Sequence, residues 1–227
     1  MLNKIFYIGF NRCATLSLAS FFADNSLDKN SVTHWDYGRL ASKMYKNFLE
    51  KKTLLSGLES KIFYLDMECC VEENNKKKWV YMYKHFRLLD EQYPNSKFIL
   101  NIRNLNNWID SRKNWLIWHE NEWNSYAEVL AKIENLNQEE LFKKWKREWY
   151  IHNIEVANYF KQRPTDLLIY DIDKDNPQKI INFFSNDLKF KHSKFDHLNK
   201  SFNQKINTNK KPKQEHLINN IFKYKLF

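Results

Sequence analysis

Glycine and proline are scarce, with 3 Gly and 4 Pro in 227 residues, against roughly 7% and 5% in an average protein. That shortage disfavours a collagen-like repeat, a linker-rich chain and a turn-rich architecture of many short strands, since each depends on residues that bend the backbone freely. Cysteine is sparse too: of 3 residues, Cys69 and Cys70 are neighbours. No even, spaced disulfide framework follows, and a reducing intracellular setting is expected. Long apolar runs are missing. The opening run from Ile5 to Ile8 is too short for a signal-peptide core, and no stretch nears the roughly 18 uninterrupted apolar residues of a membrane span. A cytoplasmic protein without membrane insertion is expected.

Core-forming residues are plentiful. With 43% hydrophobic and 16% aromatic residues the chain can bury a core despite its 28% charged content, and its length suits one domain. The net charge of +10 is uneven: nine lysines between Lys191 and Phe227 face only Asp196 and Glu215. The body is nearly neutral, so the chain reads as a domain over residues 1–200 and a Lys-rich extension over 201–227. Such a tail is either a solvated end or a binder of nucleic acid or another anionic surface through its lysines.

Continuous apolar runs at Ile5–Ile8, Ile62–Leu65, Phe98–Ile102 and Leu167–Tyr170 predict strands buried on both faces, and Ser31–Trp35 is a weaker fifth. Helical spacing is read at Trp79, Met82, Tyr83, Phe86, Leu89 and Tyr93, and again from Phe142 to Tyr159. Trp108, Trp115, Trp118, Trp123, Trp145 and Trp149 are placed on helices, mostly as core, with one or two available to stack on a ligand. The alternation predicts a three-layer open α/β fold, a mostly parallel sheet flanked by helices, with ligands at the carboxyl ends of the strands.

Gly9-Phe-Asn-Arg-Cys-Ala-Thr-Leu-Ser-Leu18 follows the first strand and opens into a helix from Leu16 to Phe22. A loop feeding a helix N-terminus offers amide N–H groups and a positive dipole end to a phosphate. Arg12 adds charge, and Thr15 and Ser17 add hydroxyls. A Walker A loop is excluded, because Ala14, Thr15 and Leu16 stand where it needs Gly, Lys and Ser or Thr. Cys13 is no phosphatase nucleophile, since that loop needs Arg at position 19, which is Ala19.

The segment resembles the 5′-phosphosulfate loop of PAPS-dependent sulfotransferases, G-x-x-[KR]-[ST]-G-T-[TS]-x-L, with Ala14 departing from the loop glycine. Arg103-Asn-Leu-Asn-Asn-Trp-Ile-Asp-Ser111 is similar to that family's 3′-phosphate element, R-[DN]-P-x-x-x-x-x-S, with Leu105 in place of proline. His34–Leu40, Leu167–Asp173 and Phe195–Asn199 resemble further family segments, so the likeness spans about residues 4 to 200. It implies a P-loop-like sulfotransferase architecture with PAPS as donor, PAP as product and no metal. The implied donor site is Asn11, Arg12, Cys13, Ala14, Thr15, Leu16, Ser17, Arg103 and Ser111, with Arg12 stabilising the leaving phosphate. The base is expected at the end of the second strand, His34 or Asp36. Asp66 and Glu68 close the third and are expected to bind the acceptor, cap a helix or face water. A hydroxyl or amine acceptor is implied, of small-molecule, carbohydrate or lipid type. Two alternatives remain open: a degenerate PAP-binding member, and a nucleic-acid binder working through the tail.

Overall fold

The structure, a computed structural model, describes residues 2–196. The extension 201–227, its lysines and His216 lie outside the described residues, as do His197, Leu198 and Asn199. In chain order, β1 (Ile5–Tyr7) leads into α1 (Thr15–Asn25), β2 (Val32–His34), α2 (Arg39–Leu49) and β3 (Phe63–Leu65). A hairpin of β4 (Glu68–Glu73) and β5 (Lys76–Tyr81) precedes α3 (Phe86–Gln92), β6 (Lys97–Ile102) and α4 (Leu105–Lys113). A second hairpin, β7 (Leu116–His119) and β8 (Glu122–Ser125), is followed by α5 (Tyr126–Glu134), α6 (Gln138–Tyr159), β9 (Leu167–Asp171) and α7 (Gln178–Phe183).

Five strands form one parallel sheet in the order β2-β3-β1-β6-β9. All five expected strands are present, including the weak one before Trp35. Their apolar runs are continuous because both faces are covered. Side chains alternate along a strand: Phe6, Ile8, Tyr64, Phe98 and Leu100 enter the core that also holds Trp108, Leu130 and Trp145. Ile5, Tyr7, Phe63, Leu65 and Ile99 enter the opposite one, with Leu18 and Phe22 of α1 and Ile180 of α7.

Two helical expectations are corrected. Trp79, Val80 and Tyr81 belong to β5, a 3-10 turn follows over Met82–His85, and the α-helix begins at Phe86. The reason is the turn at Asn74-Asn75, whose φ values of 51° and 58° suit a tight hairpin. It sets Glu72 opposite Lys77 and Glu73 opposite Lys76, pairs that favour the antiparallel register. Trp118 and Trp123 are likewise partners across β7 and β8, joined by Glu120-Asn121 with φ of 52° and 64°.

The strand order also fixes where a ligand can lie. The chain fills β2 and β3 on one side of β1, then crosses to β6 and β9 on the other. Beyond β1 the chain enters α1 on one face, and beyond β6 it enters α4 on the other. A crevice opens between such diverging connections at the carboxyl ends of the two strands. Gly9 sits at its floor, where a Cβ would lie 2.9 Å from the Tyr7 hydroxyl and 3.0 Å from backbone atoms of Asn101. The crowding is with backbone, so relief requires the strands to part. Gly9→Ala is expected to cost about 1–3 kcal/mol by overpacking, read as a fall of several degrees in Tm; an unchanged Tm would mean that the loop absorbs the methyl.

Candidate functional site

The loop between β1 and α1 has its carbonyls tied inward. Tyr7 Oη donates to the Phe10 carbonyl (2.7 Å), Trp108 Nε1 to Asn11 (3.0 Å), Arg103 Nη1 to Arg12 (3.2 Å) and Asn101 Nδ2 to Cys13 (2.8 Å). In a planar trans peptide the following N–H points opposite to the carbonyl. The amides of Asn11, Arg12, Cys13 and Ala14 are thereby turned away from these donors. Left-handed backbone at Arg12 and Ala14, both with φ of 62°, makes the turn possible. Ala14 thus keeps the conformation that glycine would adopt there without steric cost. Thr15 starts α1, and Leu16 and Ser17 complete its first turn.

The second element arrives from β6 and meets the first. Arg12 Nε donates to Ser111 Oγ at 3.1 Å, across ninety-nine residues of sequence. Its guanidinium lies 5.3 Å from the centre of the Trp115 ring. Arg103, besides holding the Arg12 carbonyl, stands 3.9 Å from Asp173. Asn104 caps α4 by accepting from the amides of Asn106 and Asn107, so Leu105 occupies the first helical position, where proline is favoured but not required. Burial pulls the Arg12 pKa below its usual value, with Arg103 adding to the effect and Asp66 opposing it. Guanidinium stays protonated even so, so two partly buried cations stand side by side here, with Asp66 and Asp173 as their acidic neighbours. A cleft of about 200 Å³ opens beside Ala14, lined by Tyr170, Ile172, Asp175, Pro177 and Phe195.

At the ends of β2 and β3 three side chains converge. His34 Nε2 lies 3.0 Å from Thr15 Oγ1 and 3.1 Å from Asp66 Oδ2, and Thr15 Oγ1 donates to the same Asp66 oxygen at 3.1 Å. Thr15 ties this group to the anion loop. Asp36 is elsewhere: it is an exposed side chain paired with Arg39 at 2.5 Å. Backbone strain gathers here as well, with positive φ at Trp35, Asp36, Tyr37 and Asp66.

A sulfotransferase domain family matches residues 4–200 of the chain. The chain belongs to that family. Among solved structures, a sulfotransferase from Alicyclobacillus acidocaldarius is similar at 15% identity, over 82% of this chain and 76% of that one, with a TM-score of 0.42. No curated protein matches the sequence. No helix among the described residues is long and apolar enough to cross a membrane, and no group of three or more His, Cys, Asp or Glu among them is placed to hold a metal ion.

Beneath the loop this sulfotransferase carries a buried polar chain that its sequence did not disclose. Asn11 Nδ2 donates to Glu68 Oε1, as does Tyr126 Oη at 2.9 Å, and Arg112 Nη2 donates to Tyr126 Oη at 2.7 Å. The Arg112 guanidinium is enclosed by Trp145, Trp108 and Tyr126 at 4.3, 4.7 and 4.8 Å from the ring centres. Trp108 and Trp145 are therefore walls of this cage, not faces for a ligand. Glu68 neither caps a helix nor meets water. Cys13 is fully buried, and burial pushes its thiol up to about 12, which removes it as a nucleophile. Asn101, a polar residue interrupting the apolar run of β6, was the one legible sign of the inward-tied carbonyls.

Proposed function

We propose that the sulfotransferase unit, residues 1–200, moves a sulfuryl group from PAPS to a hydroxyl or amine of a small-molecule, carbohydrate or lipid acceptor, without a metal. The meeting of the two loop elements carries this reading: Arg12 bonded to Ser111, and Arg103 bonded to the Arg12 carbonyl. The residues present suit such a donor. Arg103 and Ser111 would hold the 3′-phosphate, and the loop amides from Asn11 to Ala14, with Arg12 and the start of α1, the 5′ end. Tyr170 and Phe195 offer ring faces for a base.

When bound, PAPS would supply the sulfuryl group, the acceptor's oxygen or nitrogen forming the new bond to sulfur as the bond to the 5′-phosphate breaks. Arg12 and the loop amides then face the charge that grows on the departing phosphate. The His34–Asp66 pair takes the acceptor's proton, with Thr15 fixing its position against the loop. Arg12, always protonated, stabilises charge and transfers no proton.

Calorimetry with PAP, 5′-AMP and ATP tests the donor site. PAP is expected to bind most tightly. Arg103→Ala and Ser111→Ala are expected to weaken PAP by about ten- to a hundredfold, the worth of one charge-assisted contact, and 5′-AMP by far less. Equal losses for both ligands would remove the 3′-phosphate assignment. Tight PAP binding with no PAPS consumed across an acceptor screen would reduce the reading to a nucleotide-binding member.

A further inference from the structure

Glu68 and Asn11 are 4% and 2% exposed, and each has one polar atom left over. Glu68 Oε1 accepts from both Asn11 Nδ2 and Tyr126 Oη, while Glu68 Oε2 and Asn11 Oδ1 are buried and have no partner among the described residues. A carboxylate oxygen and an amide oxygen are both acceptors and cannot bond one another. The two vacancies sit on residues already joined through Asn11 Nδ2 and Glu68 Oε1, and a single proton on Oε2 would turn that oxygen into a donor able to serve Oδ1.

We infer that Glu68 and Asn11 share a proton as a neutral acid–amide pair under the anion loop, and that this pair positions the loop for a phosphate. The inference rests on the reading that the loop takes the donor's 5′ end. A second argument is electrostatic. A full negative charge directly beneath Asn11 would oppose an anion bound above it, and the neutral acid removes that opposition. Binding the anion should in turn favour the protonated form, so that ligand binding takes up a proton.

The surroundings set where this occurs. Burial is the largest influence and pushes the Glu68 carboxyl up to about 7; Arg112 on α4 and Lys84 before α3 pull it down, Asp66 beside it pushes it up, and the Tyr126 hydrogen bond lowers it. The other titratable groups facing it are Tyr7, Tyr81, Tyr83 and Cys69. All of these except Cys69 are phenols held neutral by burial, and the Cys69 thiol is pushed up to about 12. Glu68 is thus a positioning residue with a proton to gain near neutrality.

The first test needs no ligand. In protein carrying carboxyl-labelled glutamate, with the Glu68 signal assigned by its absence in Glu68→Gln, the resonance should titrate near pH 7; a midpoint near the ordinary ~4.3 overturns the inference. The second is calorimetry with PAP at pH 7.5 in buffers of different ionisation heat. Wild type should take up a proton fraction that Glu68→Gln loses and His34→Gln keeps. Above pH 7 wild-type affinity should fall by up to ~tenfold per pH unit, the limit for one linked proton. Glu68→Gln, whose amide can donate to Asn11 as the acid does, should hold its affinity. Parallel pH profiles for the two proteins would make Glu68 merely structural. If wild type binds no PAP at any pH, the donor reading fails, and the carboxyl titration still decides the pairing.

Discussion

Arg12→Ala is expected to lower the rate of sulfuryl transfer by about a hundred- to a thousandfold, the usual loss when one charge-stabilising donor is removed from a transition state. The geometry concentrates several jobs in this one side chain. Its Nε binds Ser111 and its face rests on Trp115, so the fork is held in place before a ligand arrives and little ordering is needed at the moment of reaction. Burial is the largest influence on its pKa and pulls it down, Asp66 opposes this and Arg103 adds to it. PAP affinity should fall too, by less than the rate, because the charge on the departing phosphate is greatest as the bond to sulfur breaks. Arg12→Lys restores charge without the fork and should recover only part of the rate. Steady-state kinetics with PAPS and calorimetry with PAP separate the two effects; an Arg12→Ala variant with kcat within about threefold of wild type would displace Arg12 from its role.

His34→Gln and Asp66→Asn should each reduce kcat by about a hundred- to ten-thousandfold, the range for losing a positioned proton acceptor. The pair shares one contact, His34 Nε2 to Asp66 Oδ2, and both members touch Thr15. Residues that work as a unit are not additive, so the double variant should be little worse than either single one. PAP affinity should stay nearly level, because neither side chain is assigned to the donor's phosphates. Asp36→Asn is the control: its carboxylate meets Arg39 at the surface, and activity should stay within about threefold. A large loss from Asp36→Asn with none from Asp66→Asn would return the base to Asp36.

The five central strands were legible because a doubly covered parallel strand has no polar face, and runs such as Ile5–Ile8 show it directly. The two loop elements, Gly9–Leu18 and Arg103–Ser111, were legible because each is local: a charge, a hydroxyl and a helix start within ten residues. The hairpins were not. Trp79 and Tyr83 mimic helical spacing, and only the Asn74-Asn75 turn marks them otherwise. The expected base at Asp36 rested on its nearness in sequence to His34, whereas the carboxylate that reaches His34 is Asp66, carried there by β3 lying beside β2. The chain Asn11–Glu68–Tyr126–Arg112 joins four distant segments, and pairing of that kind exists only once the fold has formed.

The scarcity of glycine has a bearing on how this protein can change. Gly38 and Gly57 already turn left-handed, and Gly9 is held by space. Many other left-handed positions fall on asparagines, or on Asp36 and Asp66, residue types that tolerate them, but Arg12, Ala14, Trp35 and Tyr37 do not share that ease. Each of these four holds its turn at roughly 1–2 kcal/mol, and each lies in the loop after β1 or within three residues of His34. Selection for heat tolerance alone would therefore drift towards glycine at these residues and take turnover with it, while selection for turnover keeps them as they are. Ala14 carries the smallest side chain among them and that side chain is assigned no chemistry, so Ala14→Gly is where an evolving population could gain stability first.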